Sequence, residues 1–374
     1  MPLNGGHPGG NRAWSVAFLV LLSLAFVAYV LGAWLVRRVP PRMRVVAAIA
    51  CAIQLAPLAA PLLLSTDAWT YWDYGRIAAV HDANPYEQPP SHFPNDPAYP
   101  YVGIAWRNTT SVYGPAFTLA SEPLARAAGT SADAAAWIYK SLAAVAMVAI
   151  AFLAGRLSRR PALAWAVVGW SPVLSIDFAG GGHNDAWPFA LVLAALAVAL
   201  SGRRELAGAG WALAALVKWI PLVLLPLRLV ESRARRVGFG YLGLAAAAAA
   251  VATLATWRYG FAWTETLRPL KEHAERETAF ALPHRLTELG VPHNVSIALF
   301  AAAFALAYLW LLRGAWRGHA RLGLAAGLLL LAVPYLAAWY VVWTLPLAAA
   351  EDDEPAILLG LVLSAYLLSQ TIKV

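Results

Sequence analysis

Apolar residues fall in long runs separated by short, arginine-rich segments. A helix needs roughly 20 mostly apolar residues to cross the hydrocarbon core of a bilayer. On that measure the pattern predicts spans near 14–36, 45–64, 134–154, 161–178, 185–201, 237–256, 295–312, 322–348 and 355–373. The stretch Met1 to Arg12 lacks the basic start and small-residue cleavage site of a signal peptide, so the first run is expected to stay as a helix. The expected fold is an all-α polytopic membrane protein, with residues 1–374 forming one transmembrane domain. No internal repeat or linker divides it.

Composition sharpens this reading. The chain of 374 residues is 60% hydrophobic and 13% charged, whereas soluble domains carry about 25% charged residues. Disordered, collagenous and soluble Rossmann classes are excluded. The single Cys51 excludes an intrachain disulfide and a cysteine-ligated metal cluster. The net charge of +8 belongs to loops beside a lipid bilayer and implies no nucleic acid. Loops 37–44, 155–160, 202–205, 228–236 and 313–321 hold 16 basic and two acidic residues. Loops 65–133, 257–294 and 350–354 hold eight basic and 16 acidic residues. Positive loops stay cytoplasmic. The second set is therefore expected outside, giving nine spans with the N-terminus outside and the C-terminus inside.

One stretch resists a simple crossing. Both 202–205 and 228–236 read as cytoplasmic, yet a single apolar run joins them. A re-entrant helical hairpin over 206–229, turning at Lys218-Trp219-Ile220-Pro221, resolves the conflict. The residue before a proline avoids the helical region. Irregular backbone at membrane depth must be buried in protein or line a watery cavity. Lys218 is thus expected to face a cavity open to the outer side.

Loop 65–133 carries the densest chemistry. It opens Ser65-Thr66-Asp67-Ala68-Trp69-Thr70-Tyr71-Trp72-Asp73-Tyr74-Gly75-Arg76. On a helix Asp67, Tyr71 and Tyr74 share one face. Asp73 has Arg76 three residues on as an expected partner. Asp67 has no basic residue within four positions, and desolvation is expected to raise its proton affinity. A functional carboxylate and an ordinary helix N-cap both fit Asp67. Asn84-Pro85-Tyr86 and Val112-Tyr113-Gly114-Pro115 are proline-pinned turns that present Tyr86 and Tyr113. Gly182-His183-Asn184-Asp185 lies at the same depth, where His183, Asn184 and Asp185 could bond sugar hydroxyls. One His with one Asp is a thin metal signal, and no metal site is expected. Helix capping accounts for Asp185 alone. Trp339 and Tyr340 end a long run outside, where an aromatic belt is the alternative to a sugar platform. His284-Arg285 re-enters the membrane zone after Pro283, and Lys271 to Glu277 reads as a solvated helix face.

The ordered set resembles the GT-C glycosyltransferase superfamily. It comprises an Asp in the first large loop followed by Tyr, then Asn-Pro-Tyr, Tyr-Gly-Pro, Gly-His-Asn-Asp, Lys-x-x-Pro-Leu and the late Pro…Trp-Tyr…Trp…Leu-Pro segment. Within it, the chain is similar to polyprenyl-phosphate-mannose-dependent mannosyltransferases, including glycosyltransferase family 87 and actinobacterial mannan-building members. The likeness runs over about residues 60–350. It implies a GT-C helical bundle with a large structured first outer loop. The activity implied is inverting transfer of a hexose, mannose above others, from a polyprenyl-phosphate donor to a glycolipid or glycan acceptor, with no cofactor. Asp67 takes the family's position of catalytic base. Lys218, with Arg285 and Arg76 behind it, is the candidate for the donor phosphate. Tyr71, Tyr86, Tyr113, His183, Asn184, Asp185, Trp339 and Tyr340 are the candidates for sugar or acceptor. A flippase or transporter of a lipid-linked sugar is the alternative, though alternating access usually rests on repeated halves.

Overall fold

The computed structural model describes residues 12–266 and 278–371, and their regular structure is entirely helical. Residues Lys271 to Glu277 lie outside the described residues. In chain order the helices are α1 (Arg12–Arg38), α2 (Met43–Leu55), α3 (Asp67–Ala79), α4 (Pro115–Ala128) and α5 (Ala132–Leu157). There follow α6 (Pro161–Gly169), α7 (Pro172–Ser175), α8 (Ala186–Leu200), α9 (Arg204–Val217), α10 (Pro221–Ala234) and α11 (Tyr241–Tyr259). The last are α12 (Leu282–Glu288), α13 (His293–Trp316), α14 (Leu322–Ala332), α15 (Leu345–Ala350) and α16 (Glu354–Leu367). This is an all-α polytopic membrane protein.

Only α1, α5 and α13 are single helices long and apolar enough to cross a bilayer among the described residues. The pair α6–α7, extended by a π-turn over Ile176–Gly180, is bent by 54°. Other apolar runs are shorter or broken. Proline sets several breaks: Pro57, Pro172, Pro221 and Pro346 each stand at the first positions of a helical segment, where no backbone N–H is lost.

The breaks gather at one end of the bundle and the arginine loops at the other. Both outer ends of the α9–α10 pair join the arginine end. Glu205 accepts from the Gly243 backbone there, and Arg235 donates to Gly318 O at 2.7 Å. The turn at Lys218–Ile220 lies at the opposite end, where Gly114 N donates to Val217 O at 3.1 Å. A Cβ at Gly114 would collide with Leu216 O, so the first long loop docks on the turn only through glycine. The last turn of α11 and the loop after it join this end too: Arg258 binds Glu122 and Asp82, and Thr278 N reaches Pro334 O.

Three expectations are corrected here. The run 322–348 is not one span. Its helix stops at Ala332, the chain runs extended at Val333 before Pro334, turns through Ala338–Trp343 and returns as α15. Glu351 then accepts from the backbone of Leu322 and Gly323, at 2.8 and 2.9 Å, closing the excursion where it began. The acidic loop 350–354 therefore sits among the arginine loops, not opposite them. Asp352 accepts from Ser158 and Arg159 N at 2.6 and 2.7 Å, Asp353 holds Arg321 at 2.7 Å, and Glu354 meets Arg37 and Arg160. Acidic residues carry little topological weight, and these are counter-ions. With the extra reversal, the last described turn lies beside Leu336, where Gln370 donates to its carbonyl at 2.6 Å. That end is the opposite of the one expected for the C-terminus.

Single cysteines at 40, 203, 233 and 352 in a Cys51→Ser background will all label from one side of the membrane. Opposite labelling of 203 and 233, or of 40 and 352, would break the two excursions just described.

Candidate active site

A cavity of about 230 Å³ opens at the break-rich end. Among the described residues its charged lining groups are Asp67 and Lys218; rings supply most of the rest, including Tyr71, Tyr113, Trp339, Tyr340 and Trp343. Four chain breaks meet around it. The segment after Ala59 delivers Asp67, the glycine run after the π-turn delivers His183 to Asp185, the α9–α10 turn delivers Lys218, and the Val333–Thr344 excursion delivers the aromatic wall.

Asp67 starts α3 but caps nothing through its side chain. Its Oδ2 lies 3.0 Å from His183 Nδ1, and Tyr71 donates to it at 3.4 Å. Burial alone would raise the pKa of this carboxyl. The His183 imidazole, with the Lys218 charge and the Tyr71 hydroxyl, outweighs burial and holds it below its ordinary value. The expected upward shift is thus corrected: the balancing charge comes from another part of the chain, invisible to local spacing. His183 is itself fixed by stacking on Trp339, ring centroids 3.8 Å apart and 15° from parallel.

Asp185 makes no helix cap either. Its Oδ1 accepts from Lys218 Nζ at 2.7 Å and from Trp343 Nε1 at 2.8 Å. The ammonium also lies over the Tyr340 and Trp343 rings, at 5.4 and 6.0 Å. Lys218 is therefore a positioned cation on the cavity wall. His183, Asn184 and Asp185 are each 1% exposed and form the layer behind that wall, not a sugar-contacting surface. Among the described residues the Asn184 amide makes no hydrogen bond through its side chain, though its backbone N donates to Tyr71 OH.

Three other expectations fail on geometry. Arg76 does not pair with Asp73. It makes a two-point bond to buried Asp96, at 2.7 and 3.0 Å, and a third to Gly129 O. A buried pair of this kind is strongly destabilised by removing either partner, so Arg76 braces the loop and reaches no donor phosphate. Arg285 lies outside the cavity lining and binds Glu288 at 2.8 Å. Tyr86 is buried with its hydroxyl on Tyr113 O and Thr118, where it pins the loop.

Two features escaped the sequence reading. Trp106, Trp219, Tyr335 and Trp343 also line the cavity; Trp219 and Trp343 stood inside motifs already singled out. The other is Lys140 on α5, fully buried, whose Nζ donates to Leu58 O, Ala60 O and Pro61 O at 3.3, 2.5 and 3.3 Å. It collects the orphan carbonyls where the second apolar run breaks ahead of Asp67. Gly182, at φ +72°, packs against Ala68 and Lys140, leaving no room for a Cβ without displacement. One lysine thus ties the Asp67 and His183 segments together. Its only sequence signal was being a lysine inside an apolar run.

An all-α membrane bundle whose first long loop helps to line a ring-walled cavity, with a carboxylate and an ammonium on its wall, is consistent with a membrane glycosyltransferase of the GT-C type, the class that the family match supports. The chain belongs to the MptA_B family, described as alpha-(1->6)-mannopyranosyltransferase, N-terminal domain, which matches residues 7–232. It is a mannosyltransferase. No curated protein and no solved structure matches the chain.

Asp73 supplies a pH test. Both its carboxylate oxygens are buried without a hydrogen bond among the described residues, and burial, with Asp96 nearby, pushes its pKa up to about 8 against the pull of Arg76. A folded-state carboxyl above its unfolded value costs stability as pH rises from about 4 towards 8. Asp73→Asn should therefore raise the thermal midpoint at pH 7–8, with the gain shrinking towards pH 4, and should keep transfer activity. A midpoint lowered at pH 8 would show that the carboxylate is ionised and partnered. Lys140→Met removes the shared donor of three half-buried carbonyls, where a buried unsatisfied acceptor costs at most about 1–3 kcal/mol. It should lower both the midpoint and kcat, whereas Lys140→Arg should recover part of each.

Proposed function

We propose that the chain transfers mannose from a polyprenyl-phosphate donor to a glycolipid or glycan acceptor, with inversion, on the outer face of the cytoplasmic membrane. The observation that carries this reading is the pairing of Asp67 and Lys218 as the charged groups lining one ring-walled cavity. Transfer needs a base for the acceptor hydroxyl and a cation for the departing phosphate. Asp67 takes the hydroxyl proton as the new C1–O bond forms. The old C1–O bond breaks, and the electron pair leaves with the lipid phosphate. Lys218 holds that phosphate while Asp185 keeps the ammonium in place.

Asp67 is suited to this task because its carboxyl stays ionised over the neutral range. His183 stabilises that charge and Tyr71 orients it. Trp339 and Tyr340 offer apolar faces to the sugar or to the first isoprene units. An outward site is supported by the position of the arginine loops at the far end of the bundle. Nucleotide sugars are absent outside, which favours a lipid-linked donor.

Purified protein should transfer mannose from polyprenyl-phosphate-mannose and not from a nucleotide sugar. Asp67→Asn should lower the rate roughly 10²–10⁴-fold with donor binding retained. Lys218→Met should weaken donor binding. Transfer from a nucleotide sugar alone would sink the donor assignment, and an active Asp67→Asn would remove the base.

A further inference from the structure

The arginine end of the bundle holds a second and larger cavity, of about 630 Å³. The ends of α5, α8, α9, α10 and α15 enclose it, with the start of α14. Five arginines line it, Arg159, Arg204, Arg228, Arg235 and Arg321, against three carboxylates, Glu231, Glu351 and Asp353. All three carboxylates are already engaged. Glu231 holds Arg228 at 2.5 Å and Arg235 at 3.3 Å. Glu351 accepts from the backbone of Leu322 and Gly323, and Asp353 accepts two bonds from Arg321 at 2.7 Å. Arg159 and Arg204 differ. Among the described residues neither guanidinium has an ion pair or a hydrogen bond, and only the backbone of Arg159 reaches Asp352. Five guanidinium groups thus face three carboxyl groups across a cavity, and the two unpaired ones, both on exposed residues, are forked donors. Leu157, Leu196 and Leu200 add an apolar wall beside them.

We propose that this cavity binds a phosphate group of net negative charge, and that the apolar wall makes the phosphate of an anionic membrane lipid, with no cationic headgroup to neutralise it, the favoured source. Guanidinium forks match phosphate oxygens two at a time. Basic pockets between helix ends are suited to anionic headgroups. The site is separate from the reaction centre. Helix α9 has 14 residues, and at 1.5 Å per residue that puts Arg204 about 20 Å along the bundle from Lys218. The inference does not rest on the donor or acceptor proposed above.

The test uses the purified full-length protein in neutral detergent. Its thermal midpoint is titrated with phosphatidylglycerol, phosphatidylcholine and inorganic phosphate. Phosphatidylglycerol should protect at a concentration roughly tenfold below phosphatidylcholine, the effect of one charge-assisted contact. Arg159→Gln with Arg204→Gln should erase that preference, and the paired lysine variants should keep part of it. Inorganic phosphate that competes with phosphatidylglycerol would show that the phosphate alone carries binding; phosphate without effect would assign the lipid. Gel filtration of each variant checks folding. Should the glutamine pair fail to fold, the wild-type lipid comparison and the lysine pair decide. Equal protection by the two lipids, or a folded glutamine pair with the full preference, would overturn the proposal.

Discussion

Backbone that leaves the helix inside an apolar bundle must find hydrogen-bond partners within the protein. Each break here answers that demand with a named group. Lys140 takes the carbonyls of Leu58, Ala60 and Pro61, and Gly180 O takes Leu63 N. Thr344 donates to Gly323 O, Thr278 and Gln370 both donate to Leu336 O, and Val217 O receives Gly114 N. Because the partners are shared among breaks, the breaks converge. The cavity is the space they leave; His183 and Lys218 arrive there on non-helical chain for that reason, and Asp67 on the first residue of the helix that follows such a stretch. A strained backbone at Leu64, φ +59°, sits just ahead of Asp67 within this cluster.

The two ends of the bundle handle charge differently. At the arginine end, acidic side chains serve as counter-ions: Asp352, Asp353 and Glu354 tie the α1, α6 and α14 loops together. On the cavity wall, among the described residues, the charges are few and held singly. Asp67 leans on an imidazole, and Lys218 on one carboxylate and two rings. The first arrangement binds loops into a rigid base. The second leaves one acid and one ammonium on the wall of one cavity, the arrangement on which the proposed transfer rests. Away from that wall, at the same end, the braces Arg76–Asp96 and Arg258–Glu122 hold the long loop in place.

Much of the site was legible along the chain. Asp67, Tyr71, Tyr113, Lys218, Trp339 and Tyr340 all line the cavity. Each was marked by a polar or proline-pinned position where apolar periodicity stops. Partnerships were not legible. Asp73 and Arg76 stand at helical spacing, yet Arg76 turns to Asp96, twenty residues on, which meets it with both oxygens in a buried pocket. His183 to Asp67 and Asp185 to Lys218 join segments more than thirty residues apart.

Hydropathy by itself determined the class of protein, because a chain this apolar has no other solvent to fold in. Arginine placement by itself marked the end of the bundle to which α9 and α10 return. Only the tertiary structure decided that 322–348 turns back at the cavity end and returns to the arginine end, since an apolar run reads alike whether lipid or protein surrounds it. It alone decided which carboxylates neutralise arginines and which one faces the cavity. Charge pairing depends on distance in space, and a chain folded through several breaks does not preserve that distance in sequence.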